Sequence, residues 1–170
     1  MKNNIRTLCM AAMFAALICV ATIIIQIPSP TGGFLNFGDC FILVGAWMLG
    51  PIYGFAAGAI GSSMADIITG YAVYAPATFV IKGVIAVLAS VIFRGMQTNK
   101  SRNKLPCHIV SATAAELWML LGYYAYDALV MGYGFAGSAA SLPMNAVQGI
   151  VGATAACAVI TLLSRVKTER

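Results

Sequence analysis

The sequence predicts an all-α integral membrane protein, a six-transmembrane-helix bundle with both termini cytoplasmic. Three observations carry this. Hydrophobic residues make up 61% of the 170 residues and charged ones only 9%, and mean hydropathy is +0.89. A soluble domain of this length needs a charged surface to stay dispersed. At roughly 20 apolar residues per span, the chain holds about six spans with short loops. The basic residues cluster where alternate spans would meet the same side of a membrane. Little chain remains for a soluble domain, so residues 1–170 form a single membrane domain.

Helix one is expected over Arg6–Ile27, ended by Pro28 and Pro30. Its basic start and apolar run imitate a signal peptide. The run is longer than a usual signal core, however, and "QIPSPTGG" carries no small-x-small cleavage pattern. Helix two spans Asp39–Leu49 and looks short, and Gly50-Pro51 makes a tight turn into helix three, Ile52–Thr69. A loop "GYAVYA" precedes helix four, which takes Pro76 in its first turn and runs to Arg94. The polar segment "RGMQTNKSRNK" leads to Pro106 and helix five, His108–Leu129. The loop "MGYGFAGS" precedes helix six, Ala139–Ser164.

Charge sets the orientation. Lys2 and Arg6 precede helix one; Arg94, Lys100, Arg102 and Lys104 lie between helices four and five; Arg165, Lys167 and Arg170 follow helix six. With six spans these groups share one side, and the three opposite loops contain no Lys or Arg. The pattern places both termini in the cytoplasm. The net charge of +5 is therefore a topology signal, aided by anionic lipid, and calls for no nucleic-acid partner.

Several chemistries are absent. There is no GxxxxGK[ST], HExxH or GxSxG, so ATP hydrolysis on a P-loop and the common hydrolase sites are excluded. The five cysteines, Cys9, Cys19, Cys40, Cys107 and Cys157, form no CxxC pair and read as small hydrophobes. Cys107-His108 has no second pair to complete a metal site. His108, after a basic loop, reads as a solvated helix-end residue. No metal and no cofactor is expected.

The exception to the charge pattern is Lys82, inside the apolar segment "YAPATFVIKG". It sits about 9 Å below the start of helix four, in the outer third of the span. A charge there costs about 2.5–3.5 kcal/mol on insertion scales, so it faces a cavity or a partner. Asp39, Asp66, Glu116 and Asp127 are candidate partners, and spacing alone does not choose among them. Glu116, Leu120, Tyr123 and Asp127 share one face of helix five. Asn145 and Gln148 lie on the outer half of helix six, and Asn36 with Asp39 closes the first outer loop. Tyr71 and Tyr74 lie in the second. These residues suit an outward-facing pocket for a small ligand. The competing structural reading is an ion pair that only neutralises Lys82, with the tyrosines as interfacial aromatics. A small intramembrane enzyme built on Asp and Glu, or a scaffold without a ligand, are the other functional readings.

Small residues form stripes: Ala11/Ala15 and Ala12/Ala16 in helix one; Gly50, Gly54, Gly58 and Gly61 leading into and along helix three; Gly149, Gly152, Ala153 and Ala156 in helix six. They permit close helix packing, either inside the bundle or against another membrane protein.

"NFGD" at Asn36–Asp39, "GPIYGFAAGAIGSSMAD" from Gly50 to Asp66, and "GYAVYAPATFVIKG" from Gly70 to Gly83 together resemble the substrate-binding S component of energy-coupling factor (ECF) vitamin transporters. The resemblance covers essentially the whole chain, and the Gly50–Gly83 stretch is its most specific part. It implies a substrate-capture subunit of an ECF-type ABC importer, not an enzyme, in a bacterial cell membrane. Such a subunit binds a vitamin from outside and docks a transmembrane coupling subunit through small residues of helix one. Two cytoplasmic ATPase subunits, separate chains, supply the energy. The docking alanines carry over onto Ala11/Ala15 or Ala12/Ala16, with the register open. The implied substrate-binding residues are Asn36, Asp39, Asp66, Tyr74, Lys82, Glu116, Tyr123, Asp127, Asn145 and Gln148. The loop Pro28–Gly38 would act as a lid, and Phe34 and Tyr74 would stack on an aromatic ring. The pattern is closest to riboflavin-, pyridoxine- and hydroxymethylpyrimidine-type members. A pyridoxine- or hydroxymethylpyrimidine-like ligand is favoured, with riboflavin as the alternative.

Overall fold

The computed structural model describes residues 2–29, 31, 33–97 and 104–168; Lys100, Arg102 and Arg170, which carry part of the orientation signal, lie outside them. The chain is a helical bundle. Helix α1 covers Lys2–Ile24, α2 Gly38–Leu49, α3 Pro51–Ile68, α4 Ala75–Met96 and α5 Leu105–Leu129. A short α6, Gly134–Ser138, and a 3-10 turn, Ala139–Ser141, lead into α7, Leu142–Thr168.

Two boundaries differ from expectation for a local reason. Helix α1 stops at Ile24, short of Ile27, because Ile27–Pro28 forms strand β1 and pairs antiparallel with β2, Phe34–Leu35. Proline disfavours helical backbone in the residue before it, so Ile27 leaves the helix early. The last long helix starts at Leu142 rather than Ala139 because the preceding turn is tighter, with Pro143 in the first turn of α7.

Among the described residues, four segments are long and apolar enough to cross a membrane: Ile5–Ile24, Ala75–Met96, Leu105–Leu129 and Gly134–Ser164. Helix α2 is different. Its 12 residues reach only about 18 Å, against roughly 30 Å of hydrocarbon. It contacts α1, α3, α4 and α7, and nine of its twelve residues are buried. A helix apolar on all sides belongs in an interior, and α2 is the core around which the longer helices stand.

Glycines let the backbones close on it. A Cβ at Gly54 would lie 3.1 Å from the Ala46 Cα of α2, and one at Gly61 would lie 2.5 Å from the Ala15 carbonyl oxygen of α1. At Gly58 it would meet the Lys82 carbonyl oxygen at 3.0 Å, and at Gly152 the Asp39 Cβ at 2.9 Å. The stripes of α3 and α7 therefore serve packing inside the bundle. Gly50, at φ +89°, turns the chain between α2 and α3. The Arg94 guanidinium at the end of α4 lies against it, where a cation complements the C-terminal dipole of α2.

His108 is not a solvated helix end. It is buried, stacked on Phe93 at 4.2 Å and edge-on to Trp47 at 4.5 Å. The Trp47 indole donates to the Ser111 hydroxyl at 3.1 Å, which donates to the His108 carbonyl at 3.0 Å. The loop is basic, but the first turn of α5 faces the core.

Candidate functional site

At the end of the bundle opposite Arg94, a narrow cavity, with about 450 Å³ of atom-free space when the open solvent at its mouth is included, lies between the β1–β2 hairpin and α3, α4, α5 and α7. Its walls come from separate elements. Asn36 and Phe34 come from the hairpin segment, Asp66 and Tyr71 from the end of α3 and the following turn, Tyr74 and Thr78 from the start of α4, Tyr123 and Asp127 from α5, and Asn145 and Gln148 from α7. Seven of the ten expected binding residues thus line one cavity: Asn36, Asp66, Tyr74, Tyr123, Asp127, Asn145 and Gln148.

The other three lie beneath its floor. Lys82 is 1% exposed and pairs with Asp39, Nζ to Oδ1 at 2.5 Å. It also donates to the Met119 sulfur at 3.3 Å and lies 5.5 Å from the Tyr123 ring centre. Of the four candidate partners, the one that takes the lysine is Asp39, rather than Asp66 or Asp127. The second Asp39 oxygen accepts from the Gln148 amide at 2.6 Å. Gln148 in turn accepts the Asn36 backbone N–H at 2.9 Å, and the Asn36 side chain accepts the Gly38 N–H at 3.0 Å. One chain of polar contacts therefore runs from Lys82 through Asp39 and Gln148 to the hairpin. Lys82 reaches the cavity through Gln148 and does not line it. Glu116 is deeper, against Gly149, and neither of its oxygens has a hydrogen-bond partner among the described residues.

A second polar group closes the mouth. The Tyr74 hydroxyl donates to the Thr31 carbonyl at 2.7 Å and to Asp127 at 3.0 Å. Ser141 donates to the other Asp127 oxygen at 3.3 Å. Burial first, then the adjoining Asp127 carboxylate, pushes the Tyr74 phenol up, so it remains a neutral donor. Tyr74 thus ties the hairpin to α5. Phe34 and Tyr71 face each other at 4.7 Å across the opening. The Tyr123 and Thr78 hydroxyls share a bond of 3.0 Å. Asp66 is 5% exposed, and its Oδ2 has no partner among the described residues.

Spacing missed two participants. Thr78 follows Tyr74 and precedes Lys82 by four residues each, so i, i+4, i+8 marks the inner face of α4. Met119, fully buried, occupies the place assigned to Leu120 on the α5 face. Positions i+3 and i+4 straddle one line on a helix, and only packing decides between them.

In α1 the two alanine registers separate. Ala11 is buried and Ala15 half-buried against α3, while Ala12 and Ala16 are exposed among Leu8, Met13, Leu17 and Val20.

The arrangement is an aromatic-walled cavity with convergent polar groups, at one end of a bundle with helices long and apolar enough to cross a membrane. A curated protein of Pyrococcus woesei, described as an "uncharacterized protein in gap 3′ region", is 36% identical over 136 residues, covering 79% of this chain and 86% of its own. The sequence pattern of the family described as "ECF-type riboflavin transporter, S component" matches residues 2–165. The chain therefore belongs to the S component family of ECF-type riboflavin transporters.

Proposed function

We propose that this chain captures riboflavin from outside the cell and delivers it with a separate coupling subunit and two cytoplasmic ATPase subunits. The observation that carries the reading is the cavity itself: four aromatic side chains, Phe34, Tyr71, Tyr74 and Tyr123, stand around Asn36, Asp66, Asn145 and Gln148. Aromatic walls suit a flat heteroaromatic ring, and the amides and carboxyl suit its hydroxyls and ring nitrogens. The family's description supports riboflavin over the pyridoxine- or hydroxymethylpyrimidine-like ligand that the residues alone favour.

In this reading the chain passes through the membrane six times, the pass at α2 being completed within the protein because that short helix is enclosed by the others, and both termini are cytoplasmic. The basic residues Arg94 and Lys104 at the end away from the cavity support that orientation. Asp39 and Lys82 hold Gln148 at the cavity floor rather than touching ligand first. The β1–β2 hairpin, tied down by Tyr74, serves as the lid. Ala12 and Ala16 present a small-residue face on the outside of α1 for the coupling subunit. The energy comes from the ATPases, since this chain has no P-loop.

The test is titration of the purified chain with riboflavin, read by quenching of flavin fluorescence, without ATP or partners. Saturable one-to-one quenching, lost in Gln148→Ala and weakened in Tyr123→Ala, is expected. No quenching with a folded protein would overturn the riboflavin assignment.

A further inference from the structure

We propose that the groove between α5 and α7, at the basic end of the bundle, is a binding site for an anionic phospholipid. It lies away from the capture cavity, and the inference does not depend on what that cavity takes. Leu105, Ile109 and Thr113 of α5 form one wall, and α7 forms the other from Ile150 to Leu162, with Ala158 between them. Ile150 to Leu162 covers about 18 Å at 1.5 Å rise per residue. Half of the hydrocarbon core is about 15 Å thick. The groove therefore runs the depth of one leaflet, on the basic side of the membrane.

Its walls suit an acyl chain. Leu105, Ile109, Ile150 and Leu162 are exposed. The threonines turn their hydroxyls back onto their own helices: Thr113 donates to the Ile109 carbonyl at 2.9 Å, Thr154 to Ile150 at 2.7 Å and Thr161 to Cys157 at 2.7 Å. They present methyl groups to the groove. A partner helix in lipid is held by small residues and by hydrogen bonds between helices. The glycines of α7, Gly149 and Gly152, face Glu116 and Asp39 inside the bundle, and the threonine hydroxyls are spent. A flexible chain needs neither, because it fills an irregular apolar wall by dispersion contact.

Charge at one end selects the headgroup. Lys104 directly precedes Leu105 and is exposed. Arg165 stands four residues after Thr161 and three after Leu162, so its position continues the groove stripe of α7. Of the acidic residues in the sequence, only Glu169 belongs to this end. Asp39, Asp66 and Asp127 belong to the capture cavity and its floor, and Glu116 lies within the bundle. A headgroup of net negative charge complements such an end, whereas a zwitterionic one brings its own cation.

The test is native mass spectrometry of the purified full chain in detergent. The chain is incubated with equal amounts of dioleoyl phosphatidylglycerol and dioleoyl phosphatidylcholine. One retained phosphatidylglycerol is expected, preferred by roughly 30-fold, the two basic positions contributing about fivefold each. Lys104→Gln with Arg165→Gln should reduce that preference to within about threefold. Ala158→Trp, which fills the groove, should lose the bound lipid whatever its headgroup. Ile109→Trp on the facing helix should do the same and serves if the first does not fold. Thermal unfolding reports folding without reference to riboflavin, so this proposal can fail while the capture reading stands. Equal retention of the two lipids, or of neither, would overturn the proposal. So would a preference that survives in a folded groove variant. A dimer of the chain in place of bound lipid, lost in Ala158→Trp, would give the groove to a second copy and also overturn it.

Discussion

Lys82 and Asp39 form an ion pair at 1% and 0% exposure, in a protein whose surroundings are hydrocarbon. Such a pair contributes little net stability, but breaking it strands a buried charge. Lys82→Ala should therefore lose about 3–5 kcal/mol of stability and also loosen Gln148. The combined Lys82→Met and Asp39→Asn variant should unfold closer to wild type than Lys82→Ala does, as read by thermal unfolding in detergent. If the double variant is no better than the single one, the stranded charge is not what Lys82 prevents. The sequence marks Lys82 as needing a partner, because charge at that depth is costly whatever the fold. It leaves four carboxyls open, because helical spacing orders residues on one helix and says nothing of which helices meet. The exchange of Met119 for Leu120 has the same origin.

At the scale of the element, small residues do two different jobs. The Gly61 position faces the Ala15 backbone of α1 at 2.5 Å from a built Cβ, and backbone cannot yield as a side-chain tip can. Gly61→Val should cost roughly 1–3 kcal/mol or more, measured by thermal unfolding of the purified protein. Ala12 and Ala16 point outward instead. Replacing both with Leu should leave riboflavin binding intact and abolish uptake in cells that supply the coupling subunit and ATPases. Replacing Ala11 and Ala15 with Leu should lower yield and unfolding temperature, because those residues pack in the bundle. Uptake that survives Ala12→Leu with Ala16→Leu would remove α1 from the docking surface. The Ala-x-x-x-Ala spacing is legible in the sequence. Which of the two registers faces out is not, since adjacent registers differ only by about 100° of rotation about the helix.

For the whole molecule, the 12-residue helix α2 sits at the centre. Helix α2 contacts α1, α3, α4 and α7, which explains how a short, mostly apolar helix serves in a membrane bundle without facing lipid along its length. The orientation proposed here predicts that a fluorescent reporter fused after Arg170 folds and shines, while an alkaline phosphatase fused there is inactive. The reverse result would place the cavity on the cytoplasmic side. The sequence by itself determined that this is an apolar helical bundle. It determined where the long segments begin and end within a few residues, and which of their ends are basic. It also carries the motifs of its family. Hydropathy, punctuation by proline and glycine, and charge at segment ends belong to single stretches of chain and can be read one stretch at a time. Only the tertiary structure decided that Asp39 takes Lys82, that α2 is enclosed, that His108 is buried, and that Ala12 and Ala16 face outward. Those facts depend on how each helix is rotated and slid against its neighbours. That is set by side-chain packing between segments far apart in sequence.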